Sequence, residues 1–190
     1  KGTALIKGNS YFSSRSTVRA AVQNVSPGTM TIEDGTIEST GYYGIQNAGE
    51  LTLGKLDGTL HGDPHVTGQT YGLFLTGSGA HATYYDGVIS GAKISNGSKA
   101  ISDETKVTPA SGYDMNHITQ TLEEQEYDVV SLVNSVLVTF HPNNGTVSEA
   151  ERRVPVGTTI GKLPNAYRSG YIFNGWFTVP TNGTQVYATD

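Results

Sequence analysis

Apolar and polar residues alternate along the first two thirds of the chain in short runs, and one arrangement of those runs returns. Met30-Thr31-Ile32, Leu51-Thr52-Leu53 and Val88-Ile89-Ser90 are bounded by Gly, Asp, Asn and Ser, the signature of strands closed by turns. No repeated segment keeps a helical spacing for three turns. Between residues 19 and 100 the segment Arg19-Ala20-Ala21-Val22-Gln23-Asn24 returns as Tyr43-Gly44-Ile45-Gln46-Asn47 and again as Tyr71-Gly72-Leu73-Phe74-Leu75. The copies align on Ala20, Gly44, Gly72 and Ala100, with a shorter first step and two equal steps after it. An Asp-Gly pair follows at Asp34-Gly35, Asp57-Gly58 and Asp86-Gly87, always at nearly the same distance beyond the small residue. A near-constant inner spacing with a variable outer one marks stacked units whose loops differ. With two or three strands per unit, the pattern predicts a parallel, right-handed β-helix in which coils stack at about 4.8 Å.

The pattern weakens at both ends of this stretch. Residues 1–18 overlay the Asp-Gly segment loosely, with Lys7 where the Asp would fall, as a terminal coil does. Beyond Pro109-Ala110-Ser111-Gly112 the regime changes. Residues 117–122 and 127–133 flank Glu123-Glu124-Gln125-Glu126 and read either as a hairpin with an acidic tip or as a short helix from Leu122 to Leu132. Val129, Val130 and Val133 favour the hairpin, which would cover the last open edge of the stack. The expected domains are therefore 1–134, with a capping hairpin over about 113–134, and 135–190.

The last segment is patterned differently. Val136-Leu137-Val138-Thr139-Phe140 reads as a strand and Pro142-Asn143-Asn144-Gly145 as a hairpin turn with Gly145 at positive φ. Val138, Phe140, Val154, Ile160, Leu163, Phe173 and Trp176 supply one small core, with little stability to spare. Val-Thr-Phe, Asn-Asn-Gly-Thr-Val, Val-Pro-Val-Gly-Thr-Thr-Ile-Gly-Lys-Leu-Pro and Ser-Gly-Tyr-Ile-Phe-Asn-Gly-Trp-Phe together resemble the Listeria–Bacteroides repeat, the internalin B-repeat family. His141-Pro142-Asn143 and Arg168-Ser169 depart from the usual residues of that family. The resemblance implies a small β-grasp-like module, carried in tandem on bacterial surface proteins. The coils before it resemble, less specifically, glycine-rich β-helices of the same class of protein. The chain reads as an excised piece of a longer protein.

Composition narrows the function. The 24 glycines fit a chain that turns often, and a net charge of −5 without a basic run argues against nucleic acid. There is no cysteine, hence no disulfide or thiolate chemistry, and neither a leader nor a long apolar run is apparent, so no membrane insertion is expected.

Three clusters carry candidate chemistry. The Asp-Gly pairs would form a column of carboxylates, which in polysaccharide-acting β-helices serve as acid and base. One Asp per coil at constant phase is better explained as a corner turn. His61, Asp63 and His65 bring zinc-ligand types close together, in what reads as the longest inter-coil loop, 59–70. The Gly-Asp-Pro centre splays them, so no metal and no cofactor is expected. Tyr42, Tyr43, Tyr71, Tyr84 and Tyr85 recur on successive coils, and adjacent strand residues face opposite ways, so at least one of each pair should be exposed. Such rings suit stacking on sugar or protein but are better read as a stack that covers apolar surface. Asn96, Asn144 and Asn182 open Asn-Gly-Ser/Thr triplets that are better read as turns, and Trp176 better as core than as a sugar platform.

No catalytic residue is assigned. The expectation is a monomeric, extracellular bacterial surface fragment that adheres to or displays itself toward a host or neighbouring-cell protein or glycan. The alternative is a carbohydrate-binding or polysaccharide-degrading β-helix.

Overall fold

The computed structural model describes residues 2–55, 57–94 and 99–190. The chain divides into two compact units, Lys1–Ser111 with Met115–Leu132, and Gly112–Asp114 with Val133–Asp190. The described residues are mainly β, with a single short 3-10 turn at Glu104–Lys106.

The first unit is a parallel β-solenoid of about four turns. Each coil supplies one strand to each of three faces. The first face stacks β1 (Thr3–Ile6), β4 (Thr29–Ile32), β7 (Glu50–Leu53), β10 (His81–Tyr84) and β13 (Val107–Pro109). The second stacks β2 (Tyr11–Ser14), β5 (Thr36–Ser39), β8 (His65–Gly68) and β11 (Val88–Ala92). The third stacks β3 (Val22–Asn24), β6 (Ile45–Asn47), β9 (Tyr71–Leu75) and β12 (Lys99–Ile101). Strand alternation sends every second side chain inward, so like residues pile up in columns. Met30, Leu51, Ala82 and Val107 form one, Ile37, Val66, Ile89 and Val130 another, and Val22, Ile45, Leu73 and Ile101 a third. Ile32, Ile45, Leu53 and Leu73 are 0% exposed. Burying a side chain of this kind contributes about 1.5–3 kcal/mol.

The repeat follows the third face with one adjustment. Val22 pairs with Ile45, so Ala21, not Ala20, lies beside Gly44, and the first step is shorter by one position than the repeat suggests. Gly44, Gly72 and Ala100 do share a column. The column is of small residues because the third face there meets the second. A Cβ on Gly72 would stand 2.6 Å from Ile89 Cγ2 and 2.7 Å from the Ser90 carbonyl oxygen.

Loop length varies without disturbing register. On the first face Thr29 pairs with Glu50 and Glu50 with His81, so the second of these coils is much the longer. Most of the excess lies between Leu53 and His65. Strand β8 occupies part of the expected 59–70 loop, because His65-Val66-Thr67-Gly68 alternates in phase with its neighbours.

The ambiguous stretch is a hairpin. Strand β14 (Tyr113–Leu122) and strand β15 (Gln125–Thr139) are joined through Glu123 and Glu124, both at positive φ, as a two-residue turn requires. Within the first unit β15 runs antiparallel along β11, from Tyr127 opposite Ala92 to Ser131 opposite Val88. It covers the last edge of the second face, and Val130 is 0% exposed.

One buried feature escaped the sequence reading. Asn24 and Asn47 point inward at the corner between the third and first faces, 5% and 0% exposed. Asn24 Nδ2 donates to Asn47 Oδ1 at 2.7 Å, and Asn47 Nδ2 to the Gly49 and His81 carbonyl oxygens at 2.8 and 3.0 Å. The side-chain amides thus continue the backbone ladder around a corner where strand pairing lapses.

The second unit pairs residues 135–139 of β15 antiparallel with β17 (Glu151–Pro155), β16 (Thr146–Val147) with β18 (Ala166–Tyr167), and β19 (Trp176–Phe177) with β20 (Gln185–Val186). No helix lies among the unit's described residues. Asn143 and Asn144 take positive φ at the turn, not Gly145. Phe140 and Val154 are buried and Trp176 is half-buried, while Phe173 is 46% exposed and does not join the core. The block 170–177 is extended only at Trp176–Phe177, because nothing pairs with Tyr171–Phe173 among the described residues.

Replacing Asn47 with Leu should destabilise the first unit by about 3 kcal/mol, since it strands the Gly49 and His81 carbonyls in the interior. Urea unfolding followed by circular dichroism measures this; a loss below about 0.5 kcal/mol would contradict the ladder role.

Candidate functional site

The corner between the first and second faces carries the carboxylate column, with one member exchanged. Thr36 pairs with His65, and His65 with Val88, so the residues two earlier, Asp34, Asp63 and Asp86, share the corner. Asp57-Gly58 is therefore not in the column. It lies in the loop before β8, where Asp57 Oδ1 accepts the Thr59 N–H at 3.0 Å. By the same register Asn9, not Lys7, fills the position in the first coil.

The corner geometry explains the residues. Gly35 and Gly87 have φ of +104° and +109°. A Cβ on either would come within 2.5 Å of a carbonyl oxygen of the preceding coil. Asp34 Oδ1 accepts the Gly35 N–H, and Asp86 Oδ1 accepts the Gly87 N–H at 2.7 Å. Asp86, 3% exposed, also accepts the N–H groups of His61 and Gly62 and so fastens the long loop to the corner. These carboxylates are occupied in shaping turns.

The metal-ligand types do not converge. His61 Nε2 meets Asp57 Oδ2 at 2.9 Å and holds that carboxyl below its usual range, while His65 Nε2 lies 3.7 Å from Asp63 Oδ1. Among the described residues no group of three or more His, Asp or Glu side chains could hold a metal ion.

Aromatic rings do converge, on the third face. Tyr43 stacks on Tyr42 with ring centroids 3.6 Å apart, and on Phe74 at 4.2 Å. Tyr71 lies 5.8 Å from Tyr43 and 5.6 Å from Phe74. Tyr42, Tyr71 and Phe74 are half-buried around Tyr43, which is 9% exposed. Phe74 shares the outward column of Gln23 and Gln46, whose amides hydrogen-bond at 3.4 Å. The result is an aromatic patch bordered by amides. Sequence reasoning missed Phe74, although it stands one coil above Gln46 in the repeat.

Two of the five tyrosines do not belong to the patch. Tyr84 is 0% exposed and cannot meet a ligand, since the alternation that buries Ala82 also turns Tyr84 inward. Its hydroxyl donates within reach of the Gly87 and Val130 carbonyl oxygens at 2.6 and 3.1 Å, and burial raises its pKa. Tyr85, half-buried, follows β10 on another part of the coil. Burial, and then the Tyr42 hydroxyl beside it, pushes Tyr43 up to about 12.

In the second unit a groove of about 580 Å³ is lined by Phe140, Arg168, Tyr171, Phe173, Trp176 and Val179, among others. Trp176 donates its Nε1–H to the Pro164 carbonyl oxygen at 2.9 Å and packs edgewise on Phe173, so it serves as one wall. The Arg168 guanidinium sits 4.0 Å from the Tyr171 ring centroid. Arg152 donates Nε–H to Glu149 and Nη1–H to the Ile160 and Lys162 carbonyls, tying that loop down. Asn144 and Asn182 lie in positive-φ turns, as their triplets suggested, while the Asn96 triplet lies outside the described residues.

Residues 137–190 match the Listeria-Bacteroides repeat domain family. No curated protein and no solved structure matches the chain.

Two outcomes test this assignment of roles. Asp86→Asn should cost about 2 kcal/mol, because it sets an amide against donors that a buried carboxylate satisfies, whereas Asp57→Asn, at a side chain 44% exposed, should leave stability close to that of the wild type. Thermal and urea unfolding of both variants give the order, and the reverse order would return Asp57 to the corner. On the alkaline side, the fold favours the neutral Tyr43 phenol. Its contribution is intact below the ordinary phenol value of 10.0 and is lost as pH rises toward about 12. Stability of the wild type should fall through that window, and Tyr43→Phe should flatten the fall.

Proposed function

We propose that the chain is part of a bacterial surface protein in which the coil stack adheres to, or is displayed toward, a host or neighbouring cell, while the C-terminal repeat acts as a stalk spacer. The observation that carries the reading is the repeat-domain match at residues 137–190, directly after a β-solenoid. Such repeats occur in bacterial surface proteins, which supports an extracellular place in this reading. A stack of short strands suits the role because each coil adds outward side chains at fixed spacing.

The contact surface in this reading is the patch of Tyr42, Tyr71 and Phe74 with Gln23 and Gln46 beside it. Half-buried rings lose little conformational freedom on binding, and amides can pair with hydroxyls or peptide groups. The reading is non-enzymatic. It is supported by the way Asp34 and Asp86 spend their oxygens on the backbone of their own corner. A carbohydrate-binding stack is the second reading, favoured by the same rings, whose faces suit the apolar face of a sugar.

Glycan arrays and host-matrix protein arrays probed with the fragment test the assignment. Retention should fall about tenfold or more in Tyr71→Ala/Phe74→Ala with the fold intact by circular dichroism. Retention unchanged by that pair would remove the patch from the function. Release of oligosaccharide from a polysaccharide by the wild type would replace adhesion with catalysis.

A further inference from the structure

The aromatic patch on the third face has a cation at its border. Lys99 pairs with Tyr71 in the coil register, so the position that holds Tyr43 and Tyr71 on two coils holds an ammonium on the next. Tyr71 is half-buried ahead of buried Gly72 and Leu73, and Lys99 is half-buried ahead of buried Ala100 and Ile101. Both side chains therefore leave the same side of the sheet, from coils about 4.8 Å apart.

The ammonium is uncommitted. Strands β6, β9 and β12 contain no Asp or Glu, in a chain whose net charge is −5. Among the described residues Lys99 forms no ion pair. The carboxylates that reach β12 or follow it are engaged elsewhere. Asp128 Oδ2 accepts the Ala100 N–H at 2.8 Å, and its Oδ1 lies 3.3 Å from His117 Nδ1. Asp103 accepts the Thr105 hydroxyl at 2.6 Å and lies 3.6 Å from Lys106 Nζ.

The rest of the face narrows what an anion there belongs to. Strands β6 and β9 are paired on both sides, so their backbone offers nothing to an added peptide strand. Tyr42 and Phe74 each spend one ring face on Tyr43 and are half-buried. Gln46 lies one coil before Phe74 and Lys99 one coil after Tyr71, so an amide and an ammonium flank the rings along the stack. A pyranose with equatorial hydroxyls has this shape in reverse: apolar C–H faces, a polar rim, and, in a uronate, a carboxylate on that rim.

We propose that the patch binds a carboxylated glycan, a polysaccharide of uronate-bearing pyranoses laid along the stack. Its sugar rings rest on Tyr71 and Phe74, a hydroxyl pairs with the Gln46 amide, and a ring carboxylate accepts from Lys99 Nζ. One ammonium suits a single ring carboxylate, whereas a densely sulphated chain needs a basic cluster that β6, β9 and β12 lack. The inference rests on the patch being the contact surface, as proposed above, and adds the class of its ligand.

A tetrasaccharide of alternating glucuronate and N-acetylglucosamine is the probe, titrated into the whole fragment by calorimetry beside the same tetrasaccharide with its carboxyl groups reduced to alcohols. The acidic probe should bind about tenfold or more tightly than the reduced one, and the difference should shrink as salt rises. Lys99→Gln should bring the acidic probe down to the level of the reduced one, whose own affinity stays unchanged, while Lys99→Arg should keep most of the difference. Tyr71→Ala/Phe74→Ala should abolish binding of both, with circular dichroism to confirm the fold. Equal affinity of the wild type for the two probes, or a Lys99→Gln variant that still prefers the acidic one, would overturn the inference and leave the patch standing as a contact surface. A preference for a sulphated tetrasaccharide over the uronate one would overturn it too. So would absence of binding by this probe and by tetragalacturonate alike; retention of a matrix protein that still needs Tyr71 and Phe74 would then make protein the occupant. Glycan binding indifferent to the Tyr71→Ala/Phe74→Ala pair would remove the patch itself.

Discussion

The backbone N–H and C=O groups of the strands in the first unit find their partners one coil up or down, and the stack follows from that requirement. Parallel pairing at fixed separation forces each strand to sit directly over the equivalent strand, so inward residues align into columns whatever the loops between them do. This is why coils as unequal as those from Thr29 to Glu50 and from Glu50 to His81 can be neighbours without loss of register. Where strands stop pairing, other groups take over: Asn24 and Asn47 carry the ladder around one corner, and Asp34 and Asp86 cap the turn at another. Where two faces come close, only Gly or Ala fits.

The same requirement places the outward surface. Register sets Tyr43 beside Tyr71 on consecutive coils, and side-chain packing then brings Phe74 onto Tyr43, though the three are distant in sequence. Asp34 and Asp86 are taken up by their corners, and the third face presents aromatic and amide groups with Lys99 beside Tyr71. The second unit has no such lattice. Short two-stranded pairings hold it, with Phe140, Val154 and Trp176 at its centre, and it keeps a wide apolar groove. Small size and few paired strands are consistent with a module that gains little from its own core.

The coil architecture was legible because the tightest constraint, a small residue where two faces touch, repeats in the sequence as Gly44, Gly72 and Ala100. The hairpin was legible from its valines. The slip of one position at Ala20 arose because Ala20 and Ala21 are equally small, and only the pairing of Gln23-Asn24 with Gln46-Asn47 fixes the phase. Asp57-Gly58 was misplaced for a similar reason. Asp-Gly is favoured by any tight turn, and the true corner of that coil uses Asp63-Pro64, which does not look like its counterparts. Tyr84 could have been placed correctly, since His81-Ala82-Thr83-Tyr84 already alternates. The meeting of Phe74 with Tyr43 depends on side-chain packing across coils, and no pattern along the chain announces it.

Amide hydrogen exchange of the whole fragment, resolved by residue, tests the central dependence on coil-to-coil pairing most directly. Amides of the middle coils, at Ile32, Ile45, Leu53 and Leu73, should exchange slowest and with one common opening free energy, because none can open without its neighbours. Protection should decline toward β1 and β2, which pair on one side only among the described residues. Rapid, independent exchange at those four positions, or protection confined to the hairpin, would contradict a stack held together by mutual pairing of its coils.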